Sequence, residues 1–340
     1  MRPIRLEPNQ VHRFYRGGSA IAQFRGIVDD SEYAPEDWVG STAAIFGEST
    51  AGLSVLPNGQ LLRDAVTADP EAFLGPEHVA CYGADPMLLV KLLDAGERLP
   101  VHFHPDRAFA REHLGLAHGK TEAWLIVETR GENPRVYLGF REEVDAETLA
   151  DWVARQEREA MLEALNELAV SPGDSVCVPA GLPHSIGQGV FLVELQEPSD
   201  LSVLLEWGGF AVDGSRSGHL GLGFEVALKG VTGSALGAEQ LTRLHSSRGD
   251  GQPFHSGPKP LLPSEADPYF RAQVLRGPEI SLEPAFSILV VLDGEGSLET
   301  EHGDTLELRR GQTVLVPYAA SGARLTGEIS AIRCLPPQPS

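Results

Sequence analysis

Apolar residues occur along this chain in short runs, and glycine, proline or charged residues interrupt each run. The chain has 340 residues, with 37 glycines and 25 prolines, and its runs include LLVKLLDA, EAWLIVE, DSVCVPA, VFLVELQ, LSVLLEW, FSILVVLDG, DTLELRR and QTVLVPY. Short runs between closely spaced turn residues are typical of β-strands in a sandwich or barrel. The pattern therefore predicts a mainly β protein.

Two intervals in the N-terminal half depart from this pattern and predict helical insertions. About residues 60–74 favour one or two short helices. Residues 145–168, DAETLADWVARQEREAMLEALNEL, place apolar side chains at helical spacing and contain neither glycine nor proline. Asp145 is of a residue type that caps the first turn of a helix. We therefore expect a continuous helix in the second interval.

One short pattern occurs twice in the chain. Gly173–Pro179 reads GDSVCVP and Gly311–Pro317 reads GQTVLVP, and only the first copy is followed by a histidine, His184. We interpret the copies as parts of two related β-barrels, of which only the first carries a metal. Glycine, serine and proline are frequent in residues 230–260, which we predict to contain the junction.

The best candidates for chemistry are three histidines and one glutamate. Residues two apart in a strand point to the same face, so His102 and His104 would present both imidazoles to one point. Glu122 and His184 on neighbouring strands would complete a site of three histidines and a carboxylate. Such ligands suit Zn²⁺, with Fe²⁺, Mn²⁺ and Ni²⁺ as alternatives, rather than Ca²⁺ or Mg²⁺. We therefore expect metal-assisted chemistry.

Composition excludes several kinds of partner. The formal net charge of −21 argues against binding to nucleic acid or to an anionic membrane surface. The three cysteines are odd in number and widely spaced, which fits reduced thiols better than a disulfide framework. The first residues contain no apolar signal segment, and no stretch reaches the ~18 apolar residues of a membrane span. These features favour a cytoplasmic protein.

The segments that carry the candidate ligands resemble those of a known family. HFHPD at 102–106, GKTE at 119–122 and PAGLPH at 179–184 are similar to the Q-x-H-P-D, G-K-T-E and P-x-G-x-x-H segments of class I mannose-6-phosphate isomerases, in the cupin superfamily. The resemblance extends over most of residues 10–230. It implies two cupin-type (jelly-roll) β-barrels, a metal-binding domain over 1–235 that includes the helical insertions, and a second, metal-free domain over 236–340.

The resemblance also implies a reaction and residues that perform it. Members of this family interconvert mannose 6-phosphate and fructose 6-phosphate, which moves a proton between two carbons through a cis-enediol. Lys120 is the expected base, because burial and a nearby metal would lower its pKa, and Glu128 further along the same strand is an alternative. Trp38, Ser41 and Arg107 are candidates for contacts with the substrate. We expect a small sugar or sugar phosphate as the partner, and a monomer or homodimer.

Two departures from the family pattern bear on this prediction. His102 stands where the family usually has glutamine, and a histidine is the stronger ligand. After the last metal strand the family has S-D-T-T-Y-R, whose arginine lies in the active site, whereas this chain has Ser199-Asp200-Leu201-Ser202-Val203-Leu204. Loss of that guanidinium removes an anion partner, unless Arg107, Arg16 or Arg216 replaces it. A free-sugar isomerase and a non-catalytic, sugar-binding or regulatory cupin are therefore alternatives, and a metal-dependent dioxygenase is a third.

Overall fold

Antiparallel strands make up most of the regular structure of the computed structural model, which describes residues 1–28, 31–247, 261–320 and 322–339. Its strands are, in chain order, β1 (Ile4–Leu6), β2 (Gln10–Val11), β3 (Glu36–Val39), β4 (Leu89–Asp94), β5 (His102–Phe103), β6 (Glu122–Thr129), β7 (Arg135–Phe140), β8 (Leu165–Ala169), β9 (Ser175–Val178), β10 (His184–Ile186), β11 (Val190–Gln196), β12 (Val203–Leu204), β13 (His245–Ser246), β14 (Arg271–Arg276), β15 (Glu279–Leu282), β16 (Ser287–Glu299), β17 (Thr305–Arg309), β18 (Thr313–Val316) and β19 (Ala323–Leu335).

The helices are short and lie between the strands. They are α1 (Ser19–Arg25), α2 (Leu62–Ala68), α3 (Pro70–Leu74), α4 (Pro76–Tyr82), α5 (Arg107–Phe109), α6 (Ala146–Arg155), α7 (Arg158–Ala164), α8 (Gly214–Ser217), α9 (Phe224–Ala227) and α10 (Ala238–Leu244). A π-helical turn, Ala110–Leu114, continues α5. Within the described residues, no helix is long and apolar enough to span a membrane.

The strands form three antiparallel sheets. One has the order β12-β5-β10-β7-β8, a second has the order β13-β9-β6-β11-β4-β3-β2, and the third has the order β1-β18-β16-β19-β14 with β15 and β17 paired to its strands. The predicted mainly β, cupin-type fold is confirmed, although strand pairing within the described residues does not close these sheets into barrels. The runs that dominate the sequence become the strands β4, β6, β9, β11, β16, β17 and β18. LSVLLEW contributes only the two residues of β12.

The two copies of the repeated pattern occupy equivalent positions. Gly173 and Gly311 each have a positive φ, 96° and 83°, and lie just before β9 and β18. At Gly311 a Cβ atom would lie 1.9 Å from the carbonyl oxygen of Phe24, so the close approach of two backbones also requires glycine. The same turn-and-strand unit is therefore built twice.

The continuous helix that we expect over residues 145–168 is interrupted. Asp145 caps α6 as predicted, with its carboxylate accepting a hydrogen bond of 2.8 Å from the Thr148 amide. The chain then leaves the helix at Gln156, whose φ is +56°, and resumes it as α7. The last residues, Leu165–Ala169, form β8 against β7. The prediction of one continuous helix was therefore wrong. The helix breaks at Gln156 because its side chain bonds backbone groups of Leu205, Trp207 and Gly208. The segment Leu165–Ala169 is a strand because pairing with β7 overrides its helical propensity. Residues 60–74 form the two short helices α2 and α3, as expected.

The first and last parts of the chain meet in one sheet. Strand β1 pairs with β18, so Ile4–Leu6 belong to the sheet that otherwise contains residues 271–335. Residues 248–260 of the predicted junction lie outside the described part of the chain. The division into two domains, with a boundary between residues 235 and 236, remains a prediction.

Candidate metal centre

Two adjacent strands place the histidines of the candidate site. His102 on β5 lies directly opposite His184 on β10 in the antiparallel pairing, and His104 follows β5. One ring nitrogen from each of the three lies within 4.8 Å of the others. All three side chains are buried, with exposed fractions of 8% or less. Pairing between strands thus brings together His102 and His184, which are 82 positions apart in the sequence.

Backbone carbonyls fix the orientation of each imidazole. Nδ1 of His102 lies 2.8 Å from the Pro100 oxygen, Nδ1 of His104 lies 2.7 Å from the Leu201 oxygen, and Nδ1 of His184 lies 2.8 Å from the Leu182 oxygen. Since a carbonyl only accepts, each Nδ1 carries the proton and each Nε2 offers a lone pair to the cluster. Nε2 of His184 is buried and has no hydrogen-bond partner among the described residues. A metal ion is the ligand that such converging lone pairs fit.

Burial keeps these imidazoles neutral. Removal from water lowers the pKa of all three histidines, and it lowers that of His104 to about 3. The neutral imidazole is the form that binds a metal. The cluster is therefore in its metal-binding protonation state at neutral pH.

Glu122 reaches the same point from the second sheet. It is the first residue of β6, and its Oε2 lies 3.0 Å from Nε2 of His104 while its Oε1 lies 3.5 Å from Nε2 of His184. Burial raises its pKa, but Lys120 and His104 hold the pKa well below the usual value, so the carboxylate stays ionised. Trp124 Nε1 donates a hydrogen bond of 2.9 Å to Oε1. The three nitrogens and this carboxylate fit a divalent transition-metal ion.

Lys120 lies beside the candidate ligands. Its Nζ contacts Oε2 of Glu122, lies 2.8 Å from Nε2 of His104, and lies 3.3 Å from Oε1 of Glu194. Burial lowers its pKa, but Glu122 and Glu194 raise it, and the net direction is upward. The two carboxylates thus oppose the lowering that we expect from burial and a bound metal, and that lowering remains a prediction.

Glu194 is a polar residue of this cavity that the sequence analysis missed. It lies in β11, buried, with its Oε1 near Nζ of both Lys120 and Lys91, at 3.3 and 3.8 Å. Burial and the charge of Glu122 raise its pKa to about 7. The available signal was a carboxylate in the middle of the apolar run VFLVELQ, where a charge is costly unless it is paired.

A second buried carboxylate, Glu36, anchors the wall of the cavity. It accepts hydrogen bonds from the Tyr15 hydroxyl and from Trp38 Nε1, at 2.5 and 2.6 Å, and it pairs with Lys91 at 3.2 Å. Arg13 Nε lies 3.3 Å from its Oε1. Burial raises the pKa of Glu36, but Arg13 and Lys91 reverse this and hold it well below the usual range. The wall is thus a buried network of alternating charges.

These side chains enclose one cavity that adjoins an outer cleft. The cavity is lined by His102, His104, Lys120, Glu122, Glu194, Lys91, Glu36 and residues from the N-terminal segment 13–15. Arg13, Phe14, Asp200, Ser202 and Leu204 line both the cavity and the cleft. The cleft also contacts His12, Tyr33, Phe46 and Leu220. The candidate metal ligands therefore have a route to the surface.

The predicted substrate contacts lie outside this cavity lining. Trp38 is fully buried beneath it, packed on Lys91 with Nζ 4.8 Å from the ring centre. Ser41 is also buried, and its hydroxyl donates to the Ala43 oxygen at 2.8 Å. Arg107 pairs with Glu197 and stacks over the ring of Tyr269. Their roles in binding a substrate remain predictions.

The other residues considered from sequence are also elsewhere. Arg16 has 59% of its side chain exposed and lies 3.8 Å from Glu32. Arg216 is exposed on α8, and Glu128 lies near the end of β6, opposite Phe191. None of these three is among the residues that line the cavity or the cleft. The guanidinium at the cavity is that of Arg13, which the sequence analysis did not consider.

Comparison with known proteins gives one consistent result. No protein-family model matches the chain. Mannose-6-phosphate isomerase of Streptococcus mutans is 26% identical over 337 residues, which cover 97% of each chain. Mannose-6-phosphate isomerase ManA of Bacillus subtilis is 31% identical over 207 residues, 60% of each chain.

Solved structures show the same fold. The crystal structure of the Bacillus subtilis mannose 6-phosphate isomerase has a TM-score of 0.74 at 22% identity, over 98% of this chain and 99% of that one. A mannose 6-phosphate isomerase bound with zinc and yttrium has a TM-score of 0.71 at 17% identity, over 99% and 100%. The curated relatives that match along nearly the whole chain carry the same name as these structures. This chain is similar to mannose-6-phosphate isomerases along nearly its whole length, and it has the fold of their solved structures.

Proposed function

We propose that this protein is a metal-dependent aldose–ketose isomerase that interconverts mannose 6-phosphate and fructose 6-phosphate. The observation that carries the proposal is the buried cluster of His102, His104 and His184 beside Glu122 and Lys120. All of these residues except His184 line one cavity. The names of the relatives, which are mannose-6-phosphate isomerases, supply the substrate.

His102, His104, His184 and Glu122 would hold the ion, for which we propose Zn²⁺, with Fe²⁺, Mn²⁺ and Ni²⁺ as alternatives. The chemistry supplied by a divalent cation at such a site is polarisation of a carbonyl oxygen and stabilisation of negative charge that develops on it. Four protein ligands leave a coordination position open on a five- or six-coordinate ion.

The side chains of the cavity account for the proton transfer that an isomerase needs. The substrate loses a proton from C2 and gains one at C1. Lys120, whose pKa a bound divalent cation would lower, is the group proposed to carry it. Glu194, 3.3 Å from Nζ of Lys120, is placed to exchange the proton with it. The surrounding buried carboxylates and cations orient both groups and exclude water from the enediol.

Turnover tests the proposal directly. We expect the zinc-loaded protein to convert mannose 6-phosphate to fructose 6-phosphate, measured as ketose formed over time. Mannose without phosphate is assayed in parallel. Turnover of mannose alone would contradict the assigned substrate, and turnover of neither sugar under any of the four metals would contradict the assigned reaction.

Lys120→Ala separates chemistry from metal binding. We expect it to keep its metal content and to lose at least about 100-fold in kcat, because the proton carrier is gone while the four ligands remain. Metal content is measured by mass spectrometry and turnover as above. Lys229→Ala, which removes an exposed lysine outside the cavity, is the matched control and should match the wild type. Retained turnover in Lys120→Ala would overturn the assignment.

One observation favours a free sugar as the second candidate. Each lysine or arginine among the residues that line the cavity already contacts two carboxylates: Arg13 contacts Asp200 and Glu36, Lys91 contacts Glu36 and Glu194, and Lys120 contacts Glu122 and Glu194. A phosphate would have to share one of these cations. The mannose assay described above distinguishes this candidate from the first.

A further inference from the structure

Arg13 lies where the inner cavity meets the outer cleft. It lines both, and 14% of its side chain is exposed, against 3% for Lys91 and 6% for Lys120. Among the described residues that line the cleft, Arg13 is the one lysine or arginine. A sugar phosphate that enters the cavity through the cleft would pass this position.

Two carboxylates fix the plane of the Arg13 guanidinium. Nη1 and Nη2 donate to the two oxygens of Asp200 at 3.1 and 3.2 Å, and Nε lies 3.3 Å from Glu36 without a hydrogen bond. A guanidinium carries five N–H groups, two on each terminal nitrogen. Asp200 takes one from each terminal nitrogen, so a second hydrogen on each remains for another acceptor. The arrangement is a preorganised fork rather than a fully occupied ion pair.

Asp200, which holds the Arg13 guanidinium, lies in the segment where the family has its active-site arginine. Asp200 belongs to the Ser199-Asp200 segment, which in the family leads to an arginine that this chain lacks. Arg13, in the N-terminal segment, contacts Asp200 although 187 positions separate the two residues in the sequence. A guanidinium is thus present beside Asp200, although the segment after Asp200, where the family has its arginine, contains none.

The two lysines of the cavity are less suited to bind an anion. Nζ of Lys91 lies between Glu36 and Glu194, at 3.2 and 3.8 Å, and Nζ of Lys120 lies between Glu122 and Glu194. Both are buried deeper than Arg13, near the reacting end of the cavity. Arg13 combines exposure to the cleft with unoccupied donors.

We propose that Arg13 binds the phosphate of the substrate and replaces the arginine that is missing after Asp200. Asp200 and Glu36 position the guanidinium, and its remaining terminal N–H groups donate to phosphate oxygens. This inference rests on the proposed function, because it assumes a phosphorylated sugar.

Arg13→Lys is the decisive variant, because it keeps a positive charge next to Asp200 and Glu36 but removes the planar fork. We expect the KM for mannose 6-phosphate to rise about 10- to 100-fold with a smaller change in kcat. Inorganic phosphate should become a weaker competitive inhibitor by a similar factor. Turnover of unphosphorylated mannose, where measurable, should change less than about threefold. Arg16→Lys, an exposed arginine in the same segment, is the matched control and should leave all four quantities unchanged.

The result that overturns the inference is an unchanged KM for mannose 6-phosphate and unchanged inhibition by phosphate in Arg13→Lys. Equal losses on mannose and mannose 6-phosphate would also overturn it, because they indicate that Arg13 only supports the cavity. If Arg13→Lys does not fold, judged by circular dichroism, the double variant Arg13→Gln with Asp200→Asn removes both charges, and a wild-type KM in it has the same meaning.

Calorimetric binding of inorganic phosphate to the zinc-loaded protein separates this inference from the proposed function. Binding that is weakened by Arg13→Lys in a protein without isomerase activity would support the anion site and contradict only the reaction. Equal binding by the wild type and the variant would overturn the anion site even in an active isomerase.

Discussion

His102 is the candidate metal ligand that differs from the family pattern. The mannose-6-phosphate isomerases that this chain resembles usually have glutamine at this position. Here an imidazole takes its place, and its buried Nδ1 bonds a backbone carbonyl. A neutral amide offers a weaker donor to a transition metal than an imidazole nitrogen does. The third histidine should therefore make the metal more tightly bound than in a site with glutamine.

Substitution His102→Gln restores the family pattern and tests this effect. We expect the dissociation constant for Zn²⁺ to rise at least about tenfold, because removal even of groups that only support ligands costs that much. Competition with a fluorescent chelator measures it. The exposed His302→Gln serves as the control. Unchanged affinity in His102→Gln would mean that His102 is not a ligand.

At the residue scale, the candidate metal ligands are recognisable in the sequence, whereas their neighbours in the cavity are not. His102, His104, Glu122 and His184 stand in recognisable segments with defined spacing, so their convergence was predictable. Glu194 and Arg13 stand outside those segments, and they join the cavity through contacts that span 74 and 187 residues. Only the folded chain shows which charges these residues meet.

At the scale of secondary structure, Glu206 connects the strands of the metal site to the helical insertion. It follows β12 and is fully buried, and it accepts hydrogen bonds from Arg98 at 2.6 and 2.8 Å and from the Val101 amide at 2.9 Å. Arg158, the first residue of α7, adds another at 2.9 Å. The strand that carries His102 is thereby fixed to the break between α6 and α7.

Glu206→Gln should weaken this connection. We expect the free energy of unfolding to fall by about 1–3 kcal/mol at pH 7, because a neutral amide accepts less well from two guanidinium groups and brings its own donors into a buried site. Urea denaturation followed by circular dichroism measures it. Glu225→Gln, on an exposed residue outside these contacts, is the control. A change as small as that of the control would contradict the structural role.

The same variant carries a pH dependence of defined sign. Burial raises the pKa of Glu206, but the Arg98 hydrogen bonds outweigh this and lower it below 4.5. A lowered pKa in the folded state stabilises the fold above the ordinary carboxyl pKa, and that contribution is lost as the pH falls through the folded-state value. The difference between wild type and Glu206→Gln should therefore be constant above about pH 5 and shrink below pH 4.5. A difference that grew on acidification would contradict the sign.

At the scale of the whole molecule, Arg25 joins the sheet that contains both chain ends to the rest of the protein. Its side chain is 3% exposed and its Nε donates to Asp37 on β3 at 2.8 Å. Nη1 donates to the Gly311 oxygen at 3.1 Å and to the Thr313 hydroxyl at 2.9 Å. One guanidinium thus contacts strands of two different sheets.

Arg25→Met should destabilise the whole fold. We expect a loss of about 3–5 kcal/mol in the free energy of unfolding, because Asp37 stays buried without its cation. The double variant with Asp37→Asn should recover part of the loss, since it removes the uncompensated charge. Arg63→Met, an exposed arginine paired with Asp64, is the control in the same urea titration. Full additivity of the two substitutions would argue against a coupled buried pair.

The mainly β class and the cap at Asp145 follow from the sequence alone. So do the two copies of the glycine–strand–proline unit and the set of four candidate ligands. Each of these features depends on residues that are close in the sequence, through side-chain alternation, turn chemistry or the spacing of a motif. Such short-range effects do not depend on where the segment lies in the folded protein. The fold of the chain, in contrast, makes residues 165–169 a strand and places Lys120 between two carboxylates. It also decided that Arg13, rather than Arg107, stands at the cavity. The physical reason is that burial and electrostatic pairing are set by neighbours in space, which the order of residues along the chain does not specify.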